Sequence, residues 1–366
     1  MSKARQLADL GNVYDDGALS NRNMVINGGM TISQRNSSWS GLTASQYTLD
    51  RFSTDIGGGG AIDVAQSTTA ADGFVNSMSL TVATADASIA AGDAYRVSHQ
   101  IEGLNVGHLN WGSSSAQTVT LSFWVRSSIT GTYGLGISNS AETENYVAEY
   151  IINSANTWEK KTVTVEGRTS GTWLTTNGIG LGIRWDLGSG TNYNGTAGSW
   201  QTTGSKVYRT SSCVNWIANA GATFYLTGVQ LEVGDLSTAT PFEHRSYGDE
   251  LARCQRYYEK LTYTGAYQFV CPSYNINTTD VEGFIPFNTE KRVSPTVTSS
   301  GASTWRVNAL ANDNTAGTVL WYTGTKYGVR GGWTRSSGTH VAREASYINV
   351  ENTSPFEAYI SIDAEL

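Results

Sequence analysis

The sequence is short of charge, proline, cysteine and histidine. Charged residues make up 15% of the 366 positions, and there are 5 Pro, 3 Cys and 4 His. Soluble chains ordinarily carry about 25% charged residues. The net charge is −7 and no Lys/Arg stripe occurs, which argues against nucleic-acid binding. Cys213, Cys254 and Cys271 are far apart and odd in number, with no C-x-x-C. They read as small buried residues of a protein made in a reducing cytoplasm, neither a disulfide framework nor a thiolate metal site. No apolar run reaches the roughly 18 residues of a membrane-spanning helix, so no membrane insertion is expected. The start, MSKARQLADLG, has no apolar h-region, so it is not read as a secretory signal.

Catalytic signatures are also missing. His99, His108, His244 and His340 form no H-E-x-x-H, and there is no G-x-S-x-G elbow. The glycine run at 57–60 is followed by no Lys-Ser or Lys-Thr, which makes it a turn and not a phosphate loop. A glycosidase needs two carboxylates about 5–10 Å apart. Glu142 with Glu144, or Asp280 with Glu282, would share a strand face, and they read as solvated surface groups. No Asp-rich EF-hand loop is present, but backbone carbonyls could hold a structural Ca2+.

What fills the chain instead is small and aromatic: 40 Gly, 11 Trp and 19 Tyr. Disordered chains are poor in aromatics, so this composition indicates short strands and tight turns. VTLSFWVRSS (119–128) puts Val119, Leu121, Phe123 and Val125 on one side and Thr120, Ser122, Trp124 and Arg126 on the other. KKTVTVEG (160–167) and TFYLTGVQLEVG (223–234) alternate likewise. Such runs recur at sandwich-like spacing, with no long helical pattern between them.

The expected fold is all-β. A short anchor at 1–22 carries Leu7, Ala8 and Leu10. An antiparallel, jelly-roll-like β-sandwich follows at 23–246, then a linking helix at 247–262 and a second, smaller β-sandwich at 263–366. The helix is read from Leu251, Cys254, Tyr257, Tyr258 and Leu261, with Asp249 and Glu250 in its first turn and Lys260 in its last.

Three segments carry a resemblance. MVINGGMTISQRN (24–36) with YTLDRF (47–52), and FYLTGVQLEVGDLSTATPFEHRSYGDELARCQRYYEK (224–260), resemble the two ends of a module of bacteriophage tail-fibre and virion structural proteins of marine phage type. That module is similar to the carbohydrate-binding β-sandwiches attached to glycanases. The resemblance implies a virion location, a homotrimer, attachment to other phage tail or capsid proteins through 1–22, and contact with host surface polysaccharide.

Trp and Tyr stack on the apolar face of a sugar while polar groups bond its hydroxyls. Two aromatic sets could do this. Trp173 and Tyr193 lie in the first, Tyr327, Arg330, Trp333 and Arg335 in the second, where RGGWTRSSG (330–338) reads as a contact loop. Core packing or a trimer interface competes for the same rings. Trp185, at the end of an alternating strand, is assigned to the core, and Trp200 to a structural role. The expected role is a tail fibre or receptor-binding protein with no enzymatic activity. The alternatives are a purely architectural capsid decoration or head fibre, and a glycan depolymerase.

Overall fold

The structure is a computed structural model and describes residues 21–235, 240–309, 312–338, 341–351 and 358–366. The expected anchor residues Leu7, Ala8 and Leu10 lie outside the described residues. The chain divides into two compact units between Glu250 and Leu251.

The first unit is the expected β-sandwich. Its strands are β1 (Ser38–Leu42), β2 (Gln46–Tyr47), β3 (Phe52–Gly57), β4 (Ala61–Ser67), β5 (Ser77–Thr84), β6 (Ala94–Glu102) and β7 (Val119–Ser127). They continue with β8 (Gly131–Ser138), β9 (Glu144–Ile152), β10 (Glu159–Val165), β11 (Ile179–Asp186), β12 (Ser199–Thr202) and β13 (Thr223–Val233). A six-stranded sheet runs β1-β4-β5-β13-β7-β10, and a seven-stranded sheet runs β12-β9-β8-β11-β6-β3-β2. The period-two runs dictate this. Val119, Leu121, Phe123 and Val125 of β7 are fully buried, while Trp124 and Arg126 face outward and stay half-exposed. From the other sheet, Tyr133, Leu135, Ile183 and Trp185 meet them. Trp185 packs edge-on to Phe123 with ring centres 5.8 Å apart, so its assignment to the core holds.

Side-chain amides close the sandwich where its two ends meet. Asn23 Oδ1 accepts from the Leu231 amide at 3.0 Å, and Asn23 Nδ2 donates to the Val229 carbonyl at 3.1 Å. Asn27, in the left-handed region at φ 61°, donates from Nδ2 to the carbonyls of Ile32 and Asp50 at 2.8 and 2.9 Å. Its backbone N–H donates to the Glu250 carboxylate, which Arg245 also contacts at 3.3 Å. A Cβ at Gly28 would lie 2.1 Å from the Val229 carbonyl oxygen, so only glycine lets the two segments touch.

The outer face of the seven-stranded sheet is covered by the chain itself. Tyr208 is fully buried there, its ring 5.0 Å from the Arg96 guanidinium and its hydroxyl accepting from Arg96 at 3.1 Å. Tyr193 stacks on Tyr208 with ring centres 4.9 Å apart. Arg209 lies 3.6 Å from the buried Asp186. Burial pushes the Asp186 carboxyl above the usual range despite Arg209 and the Ser189 donors.

The linking helix is shorter than its apolar stripe suggested. The first helix, α1 (Gly103–Val106), follows β6; the linking helix, α2, spans Tyr247–Gln255. Ser246 Oγ caps α2 by accepting the Asp249 amide at 3.2 Å. Beyond Gln255 the chain is strand β14 (Tyr258–Tyr263), so Lys260 belongs to a strand and not to the helix's last turn. Tyr258 and Leu261 fit either period, and pairing with a neighbouring strand decides it.

That neighbour lies in the second unit. The strands there are β15 (Phe269–Asn275), β16 (Asp280–Pro286), β17 (Thr296–Ser299), β18 (Trp305–Ala309), β19 (Asn312–Trp321), β20 (Gly328–Arg335), β21 (Ala345–Val350) and β22 (Ala358–Asp363). Where a second sandwich was expected, β15-β16-β20-β19-β18-β21 close into a barrel, beside a three-stranded sheet β14-β22-β17. Trp305, Val307, Val329, Trp333 and Ile348 fill the core. Lys291 and Glu259 form a fully buried ion pair at 2.5 Å in this unit. The Gln255 and Thr289 carbonyls take further Lys291 N–H bonds, and the Asn288 amide groups donate to Glu259. Burial lowers the Lys291 pKa, and Glu259 opposes that shift.

Removing one charge of such a pair costs about 3–5 kcal/mol. Lys291→Met should therefore lower the melting transition of the second unit by about 12 °C or more in calorimetry. Lys291→Met with Glu259→Leu should recover part of that loss. His99 gives a pH test. It is buried in the sandwich core, 4.6 Å from the Phe52 ring. Burial, and then the Arg51 charge, push its pKa well below the usual imidazole value. The folded state therefore stays neutral where the unfolded chain protonates. Stability is full above about pH 6.5 and falls below it, by up to about 1.4 kcal/mol per pH unit. In His99→Gln the slope of melting temperature between pH 7 and pH 5, about the imidazole range, should be shallower; an unchanged slope would show that His99 does not contribute.

Candidate functional site

Two loops at one end of the sandwich are laced together through main-chain bonds. One begins with α1 and runs to β7; the other joins β10 to β11. Gly103 N–H donates to the Gly178 carbonyl at 2.8 Å, Leu104 to Thr176 at 2.9 Å and Gly112 to Arg168 at 2.7 Å. Three indoles meet there. Trp111 and Trp173 have ring centres 4.7 Å apart, Trp111 and Trp200 5.4 Å, Trp173 and Trp200 5.6 Å, all edge to face. Such contacts contribute about 0.5–1.5 kcal/mol each beyond burial. Each indole N–H donates to a carbonyl: Trp111 to Gln117 at 2.7 Å, Trp173 to Ser170 at 3.1 Å, Trp200 to Glu166 at 2.8 Å. The rings are thus held in fixed orientations.

A cavity of about 230 Å3 opens beside Trp111 and Trp173. Its walls have two kinds of chemistry. Val106, Leu109 and Leu181 are buried and apolar, whereas Asn110, Ser113 and Thr175 are exposed and polar. Trp173 and Leu174 are half-buried between them. No charged side chain lines the cavity. Gly112 sets the wall: its φ is 88°, and a Cβ would stand 3.1 Å from Trp173 Cδ1 and 2.7 Å from the Gly171 carbonyl oxygen. An indole face beside hydroxyl and amide groups suits a sugar ring.

Of the residues singled out in the sequence, the structure brings Trp173 into this cavity. Trp200 backs Trp173 and Trp111, the structural role expected of it. Tyr193 lies elsewhere, in the layer over the seven-stranded sheet. One face is covered by Tyr208, and its hydroxyl donates to the Gly92 carbonyl at 3.1 Å. Trp111 was missed. It sits in LNWGSSS (109–115), where no strand alternation applies; a large ring within a Gly/Ser run is the signal that would have found it.

The second set is divided by the barrel wall. Residues 330–335 are part of β20 and not a loop. Trp333 is 1% exposed and packs against Trp321 inside, with ring centres 5.6 Å apart. Arg335 is also buried. Neither offers a surface for contact, which corrects the expectation for both. Arg330 points outward, its guanidinium 4.1 Å from the Tyr322 ring and 3.2 Å from Glu282. Tyr274 donates to the same carboxylate at 3.2 Å. Tyr327 is 64% exposed.

The carboxylate pairs are engaged. Glu142 lies in a turn at φ 56°, not on a strand, and contacts Arg184 at 2.7 Å and Lys206 at 3.0 Å. Glu144 contacts Arg168 at 2.6 Å. Asp280 and Glu282 do share a strand, where Asn277 donates to Asp280 at 2.7 Å. Among the described residues, no three His, Cys, Asp or Glu side chains come together as metal ligands.

No family model matches the sequence, and no curated protein matches it. Solved structures with a similar sandwich include the enzymatically active domain of tailspike protein 4 of bacteriophage CBA120, 12% identical, with a TM-score of 0.29. That match covers 58% of this chain and 21% of the tailspike chain, about a fifth of its length. A family 4 carbohydrate-binding module is 14% identical over 57% of this chain and 99% of its own, with a TM-score of 0.28. A putative sugar-binding protein from Bacteroides thetaiotaomicron is 13% identical over 58% of this chain and 100% of its own, with a TM-score of 0.33. At these values the likeness carries nothing about ligand or reaction.

Proposed function

We propose that this protein is a non-enzymatic, glycan-binding structural component of a bacteriophage particle, a tail fibre or receptor-binding protein that meets host surface polysaccharide. The observation that carries the glycan reading is the cavity between Trp111 and Trp173, with its indole wall and its exposed Asn110, Ser113 and Thr175. The phage reading rests on the resemblance at 24–36 and 224–260, segments that bond one another at the closure of the sandwich. A homotrimer anchored through 1–22 would present three cavities at once, which turns weak contacts into firm adhesion. The stacked Arg330 and Tyr322, with Tyr327, offer a further contact area on the barrel. The ion pairs of Glu142 and Glu144 leave those carboxylates poorly placed for acid–base work on a sugar.

The test is glycan-array binding of the full chain beside two variants. Thr175→Trp fills the mouth of the cavity and leaves the three indoles in place. Trp173→Ala removes the stacking wall, with melting temperature measured alongside. Both should weaken array binding at least tenfold, with Thr175→Trp melting as the parent does. An array on which the parent binds no glycan, or on which Thr175→Trp binds as well as the parent, would refute the site. Labelling of intact particles with an antibody to this chain, read by electron microscopy, tests the phage assignment; unlabelled particles would sink it.

A further inference from the structure

The cavity is amphipathic along its depth, and this restricts what can enter it. The aliphatic part of the buried wall is Val106, Leu109 and Leu181, which are 7%, 1% and 0% exposed, beside Trp111 and Gly180. The polar groups sit at the mouth, where Asn110, Ser113 and Thr175 are exposed. Trp173 and Leu174 form the half-buried zone between them. At about 230 Å3 the space falls below the roughly 300–1,000 Å3 of sites that take drug-sized ligands, so it admits a single ring and not a chain. Nothing charged lines it, which disfavours an acidic or amino sugar.

A neutral pyranose has to enter one end first. If that end is a hydroxymethyl group, its hydroxyl leaves water beside Val106, Leu109 and Leu181, whose side chains offer it no hydrogen bond. A methyl group at the same place loses nothing polar and fills the apolar end. The ring can then lie against Trp173 while its hydroxyls reach the mouth.

We propose that the cavity selects a neutral pyranose by a methyl group seated against Val106, Leu109 and Leu181. The inference rests on the reading that this cavity binds sugar. The methyl group could belong to a 6-deoxy sugar or to an N-acetyl substituent; the chemistry at the deep wall is the same. Specificity would then come from an apolar contact at the deep end and adaptable hydrogen bonds at the rim.

Two pairs of free reducing sugars on the full-length protein test this. L-fucose differs from L-galactose by one oxygen, and N-acetylglucosamine differs from glucose by the acetamido group. Ligand-observed saturation-transfer NMR at millimolar sugar reads both affinity and the part of the sugar that touches protein. In at least one pair the C-methyl or acetyl-methyl sugar should bind about tenfold or more tightly than its partner, the discrimination expected of one buried hydroxyl left without a partner. That methyl group should receive the strongest saturation, and Thr175→Trp should abolish the signal. Both members of each pair binding alike, or a methyl group that receives the weakest saturation, would overturn the methyl selection and leave the cavity a sugar site. Absence of binding by all four sugars, or binding that persists in Thr175→Trp, would overturn the cavity reading itself and this inference with it.

Discussion

In an antiparallel sheet each strand sends alternate side chains to opposite faces, so a residue's place in the strand decides whether it can meet anything outside the protein. This parity governs both units. It places Val119, Leu121, Phe123 and Val125 in the sandwich core and leaves Trp124 and Arg126 on the other face. It also separates Arg330 from Trp333, three positions along β20, by the thickness of a barrel wall. Surface chemistry on a strand is thus a consequence of the core, since moving one outward-facing residue inward by a slip of register would expose every core residue of that strand.

The sandwich needs a second device, because parity alone does not join its ends. Asn23 and Asn27 supply it. Each presents a donor and an acceptor, so one side chain satisfies a carbonyl and an amide that no neighbouring strand reaches. Glu250 then binds the Asn27 amide, and Arg245 binds Glu250. These are partly or wholly buried polar contacts, in which Asn23, Asn27 and Glu250 are all hydrogen-bonded, as buried polar groups require. Asn27, Arg245 and Glu250 lie within 24–36 and 224–260, so these two segments, far apart in the chain, meet at this closure.

The legible part of the sequence was the part under parity. Strand positions, the sandwich and the burial of Trp185 followed from period-two runs. The barrel did not, because whether strands close on themselves depends on pairing between distant segments, here Phe269–Asn275 with Ala345–Val350. The helix end was misplaced because Tyr258 and Leu261 satisfy both periods until Ala358–Asp363 pairs with them. Trp333 and Arg335 were taken for loop residues because RGGWTR has two glycines, yet those glycines lie within a strand and make room for the rings of Trp321, Trp333 and Tyr322. The cavity was only half visible. Trp173 was noticed for its composition, while Trp111 needed the fold to bring the loop after α1 beside the loop before β11.

Those two loops are laced by main-chain donors and carbonyls and packed together by the Trp111–Trp173 contact. A substitution at Thr175 leaves these bonds and the strand register untouched, whereas Asn110 holds a left-handed φ of 53° and the Ser113 hydroxyl donates to the Asn110 carbonyl. The rim can therefore vary at Thr175 while the scaffold remains constant, whereas Asn110 and Gly112 are tied to their identity by left-handed backbone geometry. A lineage using this sandwich could change the chemistry of the cavity mouth by substitution at Thr175 without passing through an unfolded intermediate sequence.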